Sequence, residues 1–216
     1  MSDPYINERG VFYNKLGISD ARLLREAEYG LAIVRAKEIL SGQFVPDVHG
    51  YGLARQIAIH RHLFQDVYPW AGRVRTTPLS KRFGVNQVSI FVELVAIGPY
   101  WQLLEQKTAA FVSDTDASFE QKREALMAIF IKANDIHPFP EGNGRSLQIF
   151  MRQLAREQGI DLDYAKLHPT DWNYASAISG THGVFFQRER EVVLEPPDSA
   201  PIRKIFESIA KPRVAS

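Results

Sequence analysis

The segment His137-Pro138-Phe139-Pro140-Glu141-Gly142-Asn143-Gly144-Arg145 separates two stretches of the chain that have strong helical periodicity. On both sides of it, apolar residues recur at positions i, i+3, i+4 and i+7, the spacing of one helical face. Before the segment these residues are Leu126, Ile129, Phe130 and Ala133, and after it they are Leu147, Phe150, Met151 and Leu154. The sequence therefore predicts two core helices, one over 119–134 and one ending near Gly159, joined by a polar loop.

The loop has the composition of an anion-binding site. Backbone N–H groups at the start of a helix have no partner within the helix, and the helix dipole adds about half a positive charge there. Gly142 and Gly144 can adopt the positive φ that turns successive N–H groups toward one anion, and they let a phosphate approach the backbone. Arg145 adds a fork of donors that matches phosphate oxygens. These features together fit a diphosphate.

Two further residues of the loop predict chemistry at that anion. Glu141 would repel bound phosphates unless a divalent cation lies between them, and Mg²⁺ is the cation that best suits such oxygen ligands. His137 is the one residue in the loop that can accept a proton near neutral pH and so activate an incoming hydroxyl. Each residue alone also has a structural interpretation as a cap, a turn or a surface ion pair. Their occurrence together in one loop favours a functional site over these structural interpretations.

Taken together, these residues are similar to the signature of Fic proteins, His-Pro-Phe-x-(Asp/Glu)-Gly-Asn-Gly-Arg-x-x-Arg. Eight specified positions match in order from His137 to Arg145. With average residue frequencies of about 5%, a chance match anywhere in the chain has odds on the order of one in 10⁸. The resemblance continues upstream in Asp3-Pro4-Tyr5, Asn14-Lys15-Leu16-Gly17 and the run from Ile59 to Arg73, so it covers roughly residues 3–179.

The resemblance implies a mainly α Fic fold, a helical bundle with a central helix-loop-helix and one β-hairpin that acts as a flap. Length and composition predict a single domain over residues 1–216, with a core at about 19–180 and a tail, 195–216, that contains a short helix. Periodicity places further helices at 19–40, 53–68, 93–111 and 171–179, and a tail helix near 202–209.

By the same resemblance, the chain is a protein adenylyltransferase that moves AMP from ATP onto a Tyr, Thr or Ser hydroxyl of a target protein. His137 takes the proton from that hydroxyl, and Glu141 holds Mg²⁺. The implied nucleotide-binding residues are Gly142, Asn143, Gly144, Arg145 and Gln148, and Phe139 packs inward to brace the loop.

The flap is predicted over residues 73–91, where β-branched residues alternate with turn formers such as Gly84 and Asn86. The resemblance implies that the flap positions the target, and we expect the target to pair with the flap as an added strand. The flap residues that we expect to position it are Thr77, Pro78, Leu79, Ser80 and Lys81.

The sequence departs from the family pattern at Gln148, which occupies the position of the usual second arginine. Gln148 shares the helical face of Arg145 and can donate a neutral hydrogen bond to a γ-phosphate, but it carries no charge. The family's inhibitory motif, (Ser/Thr)-x-x-x-Glu-(Gly/Asn), is also absent, because the only Glu followed by Gly or Asn is Glu141. The chain either relies on a separate antitoxin protein, as the toxin branch does, or has lost this control.

Composition limits the compartment and the partners. The chain has 216 residues, no cysteine and a formal net charge of +1, so neither a disulfide nor a dominant attraction to nucleic acid or a membrane is predicted. No apolar run suits a secretory signal or a membrane span. We expect a cytoplasmic protein, and resemblance to bacterial toxin-type members suggests a type II topoisomerase subunit as the target.

Other functions stay open at this stage. The kinase-like branch of the family carries a bulky basic residue in place of the second loop glycine, and Gly144 argues against it. Transfer of another phosphate-containing group is not excluded. A catalytically weak or silent nucleotide-binding module is the alternative from another class, although a decayed site would be expected to lose His137 first.

Overall fold

The computed structural model describes residues 3–186 and 191–213, and helices dominate the described part. Each helix begins and ends close to a capping or breaking signal in the sequence. The helices are α1 (Ala21–Leu40), α2 (Leu53–Phe64), α3 (Ile97–Ser113), α4 (Phe119–Ile136), α5 (Asn143–Glu157), α6 (Pro169–Ile178) and α7 (Ala200–Ile209). The prediction of a mainly α chain with a central helix-loop-helix is confirmed.

Local capping explains where these helices start. The side chain of Asp20 accepts from the N–H groups of Arg22 and Leu23 at the start of α1. Ser118 and Gln121 form a reciprocal capping box at the start of α4. Such caps satisfy donors that a helix cannot satisfy itself, and each contributes about 1 kcal/mol.

Two helix boundaries differ from the prediction because of prolines. The second helix ends at Phe64 rather than at residue 68, since the carbonyl of Phe64 accepts from both Val67 and Tyr68 in a turn that leads into Pro69. The third helix begins at Ile97 rather than at residue 93, after a 3₁₀ turn over Leu94–Ala96. Pro99 explains this shift, because proline fits only the first turn of a helix.

The β-structure is larger than the single predicted hairpin. The hairpin itself forms from β1 (Ser80–Phe83) and β2 (Gln87–Ile90), but β4 (His182–Phe186) and β5 (Glu191–Glu195) extend it to an antiparallel sheet of order β1-β2-β4-β5. A second, two-stranded sheet pairs β3 (Ile160–Leu162) with β6 (Ala210–Pro212). The predicted hairpin is present, but β4 and β5 are not predicted from the sequence, because β2 pairs with β4 across about 95 residues and no local turn signal announces that pairing.

The core lies around α4 and α5, so the loop between them is anchored at both ends. Large side chains of these two helices are fully buried, among them Leu126, Phe130 and Phe150. The tail helix α7 adds Phe206, which packs on Phe130 with ring centroids 5.6 Å apart. Burying such side chains stabilises the fold by about 1.5–3 kcal/mol each, which holds the loop on a rigid base.

In residues 3–186 and 191–213, no helix combines the length and the apolar character that a bilayer crossing requires.

Candidate active site

His137 ends α4 in an unusual backbone conformation. It is the C-cap of the helix with φ of 46°, and it is the only non-glycine residue with positive φ in the described part of the chain. Left-handed backbone at a non-glycine residue costs of order 1–3 kcal/mol and occurs where a site requires it. This turn directs the chain from the end of α4 into Pro138 and the loop.

The ring of His137 is held in one tautomer. Its Nδ1 lies 3.0 Å from the carbonyl oxygen of Asn134, and because a carbonyl can only accept, Nδ1 must carry the proton. The other nitrogen, Nε2, is then an acceptor, and it is buried without a hydrogen-bond partner among the described residues. Phe91, at the end of the hairpin, stacks on the imidazole at 3.8 Å between ring centroids. The histidine therefore presents an unused proton acceptor beneath the flap.

The environment keeps His137 neutral. Burial lowers its pKa from 6.5 to about 3, and the charges of Lys81 and Arg75 act in the same direction. The hydrogen bond to Asn134 and the charge of Glu141 oppose this shift but do not cancel it. At neutral pH the lone pair of Nε2 is therefore available to accept a proton.

The first turn of α5 offers free backbone donors. Gly142 is the N-cap residue, with φ of 81°, and its carbonyl receives the first helical hydrogen bond from Ser146 at 3.1 Å. The N–H groups of Asn143, Gly144 and Arg145 have no acceptor within residues 3–186 and 191–213. They lie at the positive end of the helix dipole, where an anion is favoured, and we call these three N–H groups the cradle.

The side chain of Asn143 holds the loop. It does not line the cradle, because Oδ1 accepts from the N–H of Phe139 at 2.9 Å and Nδ2 donates to the carbonyl of Phe139 at 2.7 Å. Phe139 is fully buried, and its ring stacks on His60 at 3.8 Å. Asn143 thus offers its N–H to an anion while its side chain braces the loop.

His60 supports the loop from α2, a role that sequence reasoning missed. Its Nδ1 accepts from the N–H of Gly72 and its Nε2 donates to the carbonyl of Glu141, both at 2.9 Å. Burial lowers the pKa of His60 to about 4. The histidine is therefore a neutral bridge between Gly72 and the loop, and only its position in the matched upstream segment could have suggested this.

Glu141 is ionised and already contacts a cation. Its Oε2 lies 3.0 Å from Nζ of Lys81, and its Oε1 accepts from the N–H of Gly142 at 3.0 Å. Burial by itself would raise its pKa, but Lys81, the Gly142 N–H and Arg145 outweigh this and lower the pKa to about 2. The Lys81 ammonium occupies a position suited to a cation, so the carboxylate fits Mg²⁺, which commonly uses one or two protein carboxylates and takes its other oxygens from phosphates and water.

Arg145 lies between two carboxylates. Its guanidinium forms an ion pair with Glu28 of α1 and lies 3.8 Å from Oε1 of Glu141. The guanidinium carbon of Arg145 also lies 4.8 Å from the centroid of the Phe64 ring, over its face. Glu28 is only 5% exposed and also accepts from the hydroxyl of Tyr68. Sequence reasoning missed Glu28, because nothing in the pattern of α1 distinguishes it from the other charged residues of that helix.

Gln148 lies one turn beyond Arg145 and lines a cavity of about 230 Å³ together with it. The other walls of the cavity come from α1, Leu63, Arg152 and Tyr164. Gln148 and Arg145 therefore face the same cavity. The cavity leaves room for a longer side chain there.

The predicted flap residues form the base and the first strand of the hairpin. Thr77, Pro78 and Leu79 lead into β1, which Ser80 and Lys81 begin. Strand β1 is an edge of its sheet, so one side of its backbone is free to pair with another strand. Only Lys81 of these residues contacts the loop through its side chain, at Glu141.

The fold and site together define a helical protein in which a neutral histidine and an ionised glutamate flank free N–H groups at a helix start, beneath a β-hairpin. Comparison with known proteins gives the family. The Fic/DOC family model matches residues 53–155. A relative named "Probable protein adenylyltransferase y4lH", from Sinorhizobium fredii, is 34% identical over 159 residues, which cover 74% of this chain and 78% of that protein. The chain belongs to the Fic/DOC family.

Two other proteins extend this comparison. The protein adenylyltransferase VbhT of Bartonella schoenbuchensis is 35% identical over 186 residues, 82% of this chain, but the match spans only 36% of VbhT. The crystal structure of BepC from Bartonella tribocorum, with bound AMPPNP, superposes with a TM-score of 0.80 at 21% identity and covers 97% of both chains. The fold predicted from the sequence is therefore confirmed as a Fic fold.

Substitution by alanine is expected to change stability in opposite directions at the two glycines that begin α5, Gly142 and Gly144. In Gly142→Ala, the new Cβ would clash with the Phe64 ring at a positive φ, so the protein should lose at least about 1–3 kcal/mol of stability. In Gly144→Ala, the Cβ meets nothing within 4 Å, so stability should stay equal or rise by up to about 1 kcal/mol. Denaturant unfolding measures both, and equal losses in the two variants would contradict the open cradle.

The free energy of unfolding should fall as the pH drops from about 7.5 to about 5. An unfolded histidine binds a proton near pH 6.5, whereas the pKa of folded His137 is about 3. The unfolded chain therefore binds more protons in this window, and each pH unit below 6.5 removes up to about 1.4 kcal/mol per histidine. Unfolding curves at several pH values measure the loss.

The matched control for this pH dependence is His137→Asn. His60 acts with the same sign, since its folded pKa is about 4, so the variant should keep about half of the loss. A pH dependence identical to that of the wild type would mean that His137 is not held neutral.

Proposed function

We propose that the chain is a protein adenylyltransferase that moves AMP from ATP to a Tyr, Thr or Ser hydroxyl of a target protein. The observation that carries this proposal is the neutral His137, whose Nε2 is buried and without a partner while Nδ1 is tied to Asn134. It lies in the same loop as the free N–H groups of Asn143, Gly144 and Arg145. The relatives VbhT and y4lH carry the name of this activity.

In the proposed reaction, Nε2 of His137 accepts the proton of the target hydroxyl. The hydroxyl oxygen forms a bond to the α-phosphorus of ATP, the bond between that phosphorus and the bridging oxygen breaks, and pyrophosphate leaves with the electron pair. The N–H groups of Gly144 and its neighbours hold the leaving phosphates, and Arg145 neutralises part of their charge. In the present conformation Nε2 is buried and Phe91 lies on the imidazole, so the hydroxyl reaches Nε2 only after a local movement of the flap.

We assign Mg²⁺ to Glu141, on the basis of its ionised carboxylate and its existing contact with the Lys81 ammonium. When bound, the metal would supply positive charge that offsets the charge of the phosphates. Lys81, which contacts Glu141 in this structure, would then be free to contact another anion, such as the nucleotide phosphates. The chain's own contribution is to keep Glu141 ionised and fixed by the Gly142 N–H.

The free edge of β1 supports the proposed role of the flap. A target segment that pairs with Ser80 and Lys81 as an added strand would be positioned by backbone hydrogen bonds, which place few demands on its sequence. Thr77, Pro78 and Leu79, which lead into β1, would then set the distance between the added strand and His137. This arrangement selects an extended, exposed target segment.

A catalytically weak or silent nucleotide-binding module is the second candidate. The observation that favours it is Gln148, a neutral residue where the family pattern has a second arginine, while Arg145 is already paired with Glu28. Both candidates bind ATP, but only the transferase adds mass to a protein. Transfer of AMP adds about 329 Da and transfer of a phosphoryl group about 80 Da, so the added mass also distinguishes the transferred group.

The finer aspects of function rest on resemblance to the toxin branch. They are cytoplasmic action, a type II topoisomerase subunit as target, and a separate antitoxin protein as inhibitor. The match to VbhT covers only 36% of that protein, so a whole-protein role in this chain is a proposal. Including purified topoisomerase subunits beside bacterial lysate in the assay tests the proposed target.

Incubation with ATP labelled at the α-phosphate, Mg²⁺ and lysate should label protein in the wild type. In His137→Ala, labelling should fall at least about 100-fold, because general-base catalysis contributes about 10²–10⁴-fold, while binding of AMPPNP should persist. ATP labelled at the γ-phosphate should add no label beyond that of lysate without the enzyme. Enzyme-dependent labelling that survives in His137→Ala, or that comes from the γ-phosphate, contradicts the proposed mechanism.

Replacing Gln148 should change nucleotide affinity. Gln148→Arg should tighten ATP binding about fivefold to tenfold, because a charge-assisted hydrogen bond contributes about 1–1.5 kcal/mol more than a neutral one and the cavity has room for the longer side chain. Gln148→Met keeps the length without a donor and serves as the control. Calorimetry with AMPPNP and Mg²⁺ measures both, and equal affinities in the two variants would remove Gln148 from the nucleotide site.

A further inference from the structure

Arg75 is a buried arginine that the proposed chemistry does not use. It lies in the segment that connects α2 to strand β1, and it is only 3% exposed. In the described part of the chain, its guanidinium forms no ion pair with a carboxylate within 4.0 Å. A buried cation without such a partner is costly, so the contacts that do hold it indicate what it is for.

Each of the three guanidinium nitrogens of Arg75 donates one hydrogen bond to a backbone carbonyl. Its Nε donates to the carbonyl of His137 at 2.9 Å, its Nη1 donates to that of Thr77 at 3.1 Å, and its Nη2 donates to that of Val92. Its own N–H donates to the carbonyl of Pro138 at 2.8 Å. One residue therefore joins the histidine loop to both ends of the flap.

The end of α4 explains why a cation is stable at this position. The last carbonyls of a helix have no partner within it and carry about half a negative charge. Arg75 donates to one of these carbonyls, that of His137. The N–H of Val92 donates to another, the backbone carbonyl of Asp135, at 3.2 Å. Burial still lowers the pKa of Arg75, but arginine stays charged because its ordinary pKa is above 12.

The two flap carbonyls that Arg75 contacts belong to the chain segments just before and just after the hairpin. Thr77 precedes β1 and Val92 follows β2, so Arg75 holds the two chain segments from which the hairpin extends. The same guanidinium holds the carbonyl of His137, the residue with left-handed backbone. A shift of the flap relative to the histidine would break at least one of these hydrogen bonds.

We propose that Arg75 is a positioning residue that sets the distance between the flap and His137, and thereby the alignment of the target hydroxyl with the histidine. The inference rests on the proposed transferase function. It assigns Arg75 to the target side of the reaction, because its contacts lie at the flap and His137 and none lies at the cradle of Gly144 and Arg145.

Only the shape of arginine makes this connection. Its rigid planar fork presents donors in several directions at once, whereas the single ammonium of lysine cannot reach three separated carbonyls with the same geometry. Arg75→Lys therefore keeps the charge but loses the connection, and Arg75→Met loses both. Arg73, two residues earlier, is an exposed arginine whose side chain makes no hydrogen bond or ion pair within residues 3–186 and 191–213, so Arg73→Lys is the matched control.

The test measures transfer kinetics and nucleotide binding in the same variants. Arg75→Lys should lower kcat for transfer to protein about 100-fold, the effect of a misplacement of roughly 1 Å, while AMPPNP affinity stays within about twofold. Arg73→Lys should match the wild type in both. Arg75→Lys that transfers at the wild-type rate, or that loses AMPPNP affinity as strongly as transfer, overturns the inference.

Hydrogen exchange separates this inference from the proposed function. Arg75→Lys should speed amide exchange in residues 77–92 and at 137–139, while the core of α5 stays protected as in the wild type. If the wild type transfers nothing, the transferase proposal fails, and the exchange pattern still decides whether Arg75 holds the flap on the histidine loop. Unchanged exchange in 77–92, uniformly faster exchange, or unfolding of both Arg75 variants overturns the positioning role.

Discussion

The N–H groups at the first turn of α5 have no acceptor among the described residues, and much of the surrounding structure keeps them free and in place. Gly142 turns the chain with a positive φ that packs its backbone directly on Phe64. Asn143 uses its side chain to hold Phe139 rather than to fill the cradle. Unpaired backbone donors are unfavourable in a dry interior, so they persist here because the cradle lies at the surface, where Gly144 is exposed.

Burial and nearby charges determine the protonation states of the two titratable residues in this loop, His137 and Glu141. His137 is neutral because burial disfavours its cation, while Glu141 is ionised because Lys81, Arg145 and a backbone N–H outweigh the effect of burial. The two residues are four positions apart, and their surroundings move both pKa values further below neutral pH, so His137 is neutral and Glu141 is ionised. An acceptor of protons and a ligand for cations therefore coexist at neutral pH, as proton transfer beside a charged phosphate requires.

How much the sequence predicts depends on how local the cause is. Helices α4 and α5 and the loop between them follow from periodicity and from the glycine and proline positions, so their bounds and the free donors were predictable. The pairing of β2 with β4 and the contact of Glu28 with Arg145 join residues far apart in the chain, and no pattern within either segment encodes them. Arg75 was likewise indistinguishable from its exposed neighbour Arg73, because only the folded structure brings it to the end of α4.

The central claim is that the free N–H groups of the α5 first turn hold the phosphates of a nucleotide. An NMR titration of ¹⁵N-labelled protein with AMPPNP and Mg²⁺ tests it most directly, because each backbone amide reports separately. The account predicts that the largest changes in chemical shift fall on Asn143, Gly144 and Arg145. Shifts that leave these three amides unchanged while others respond would contradict it.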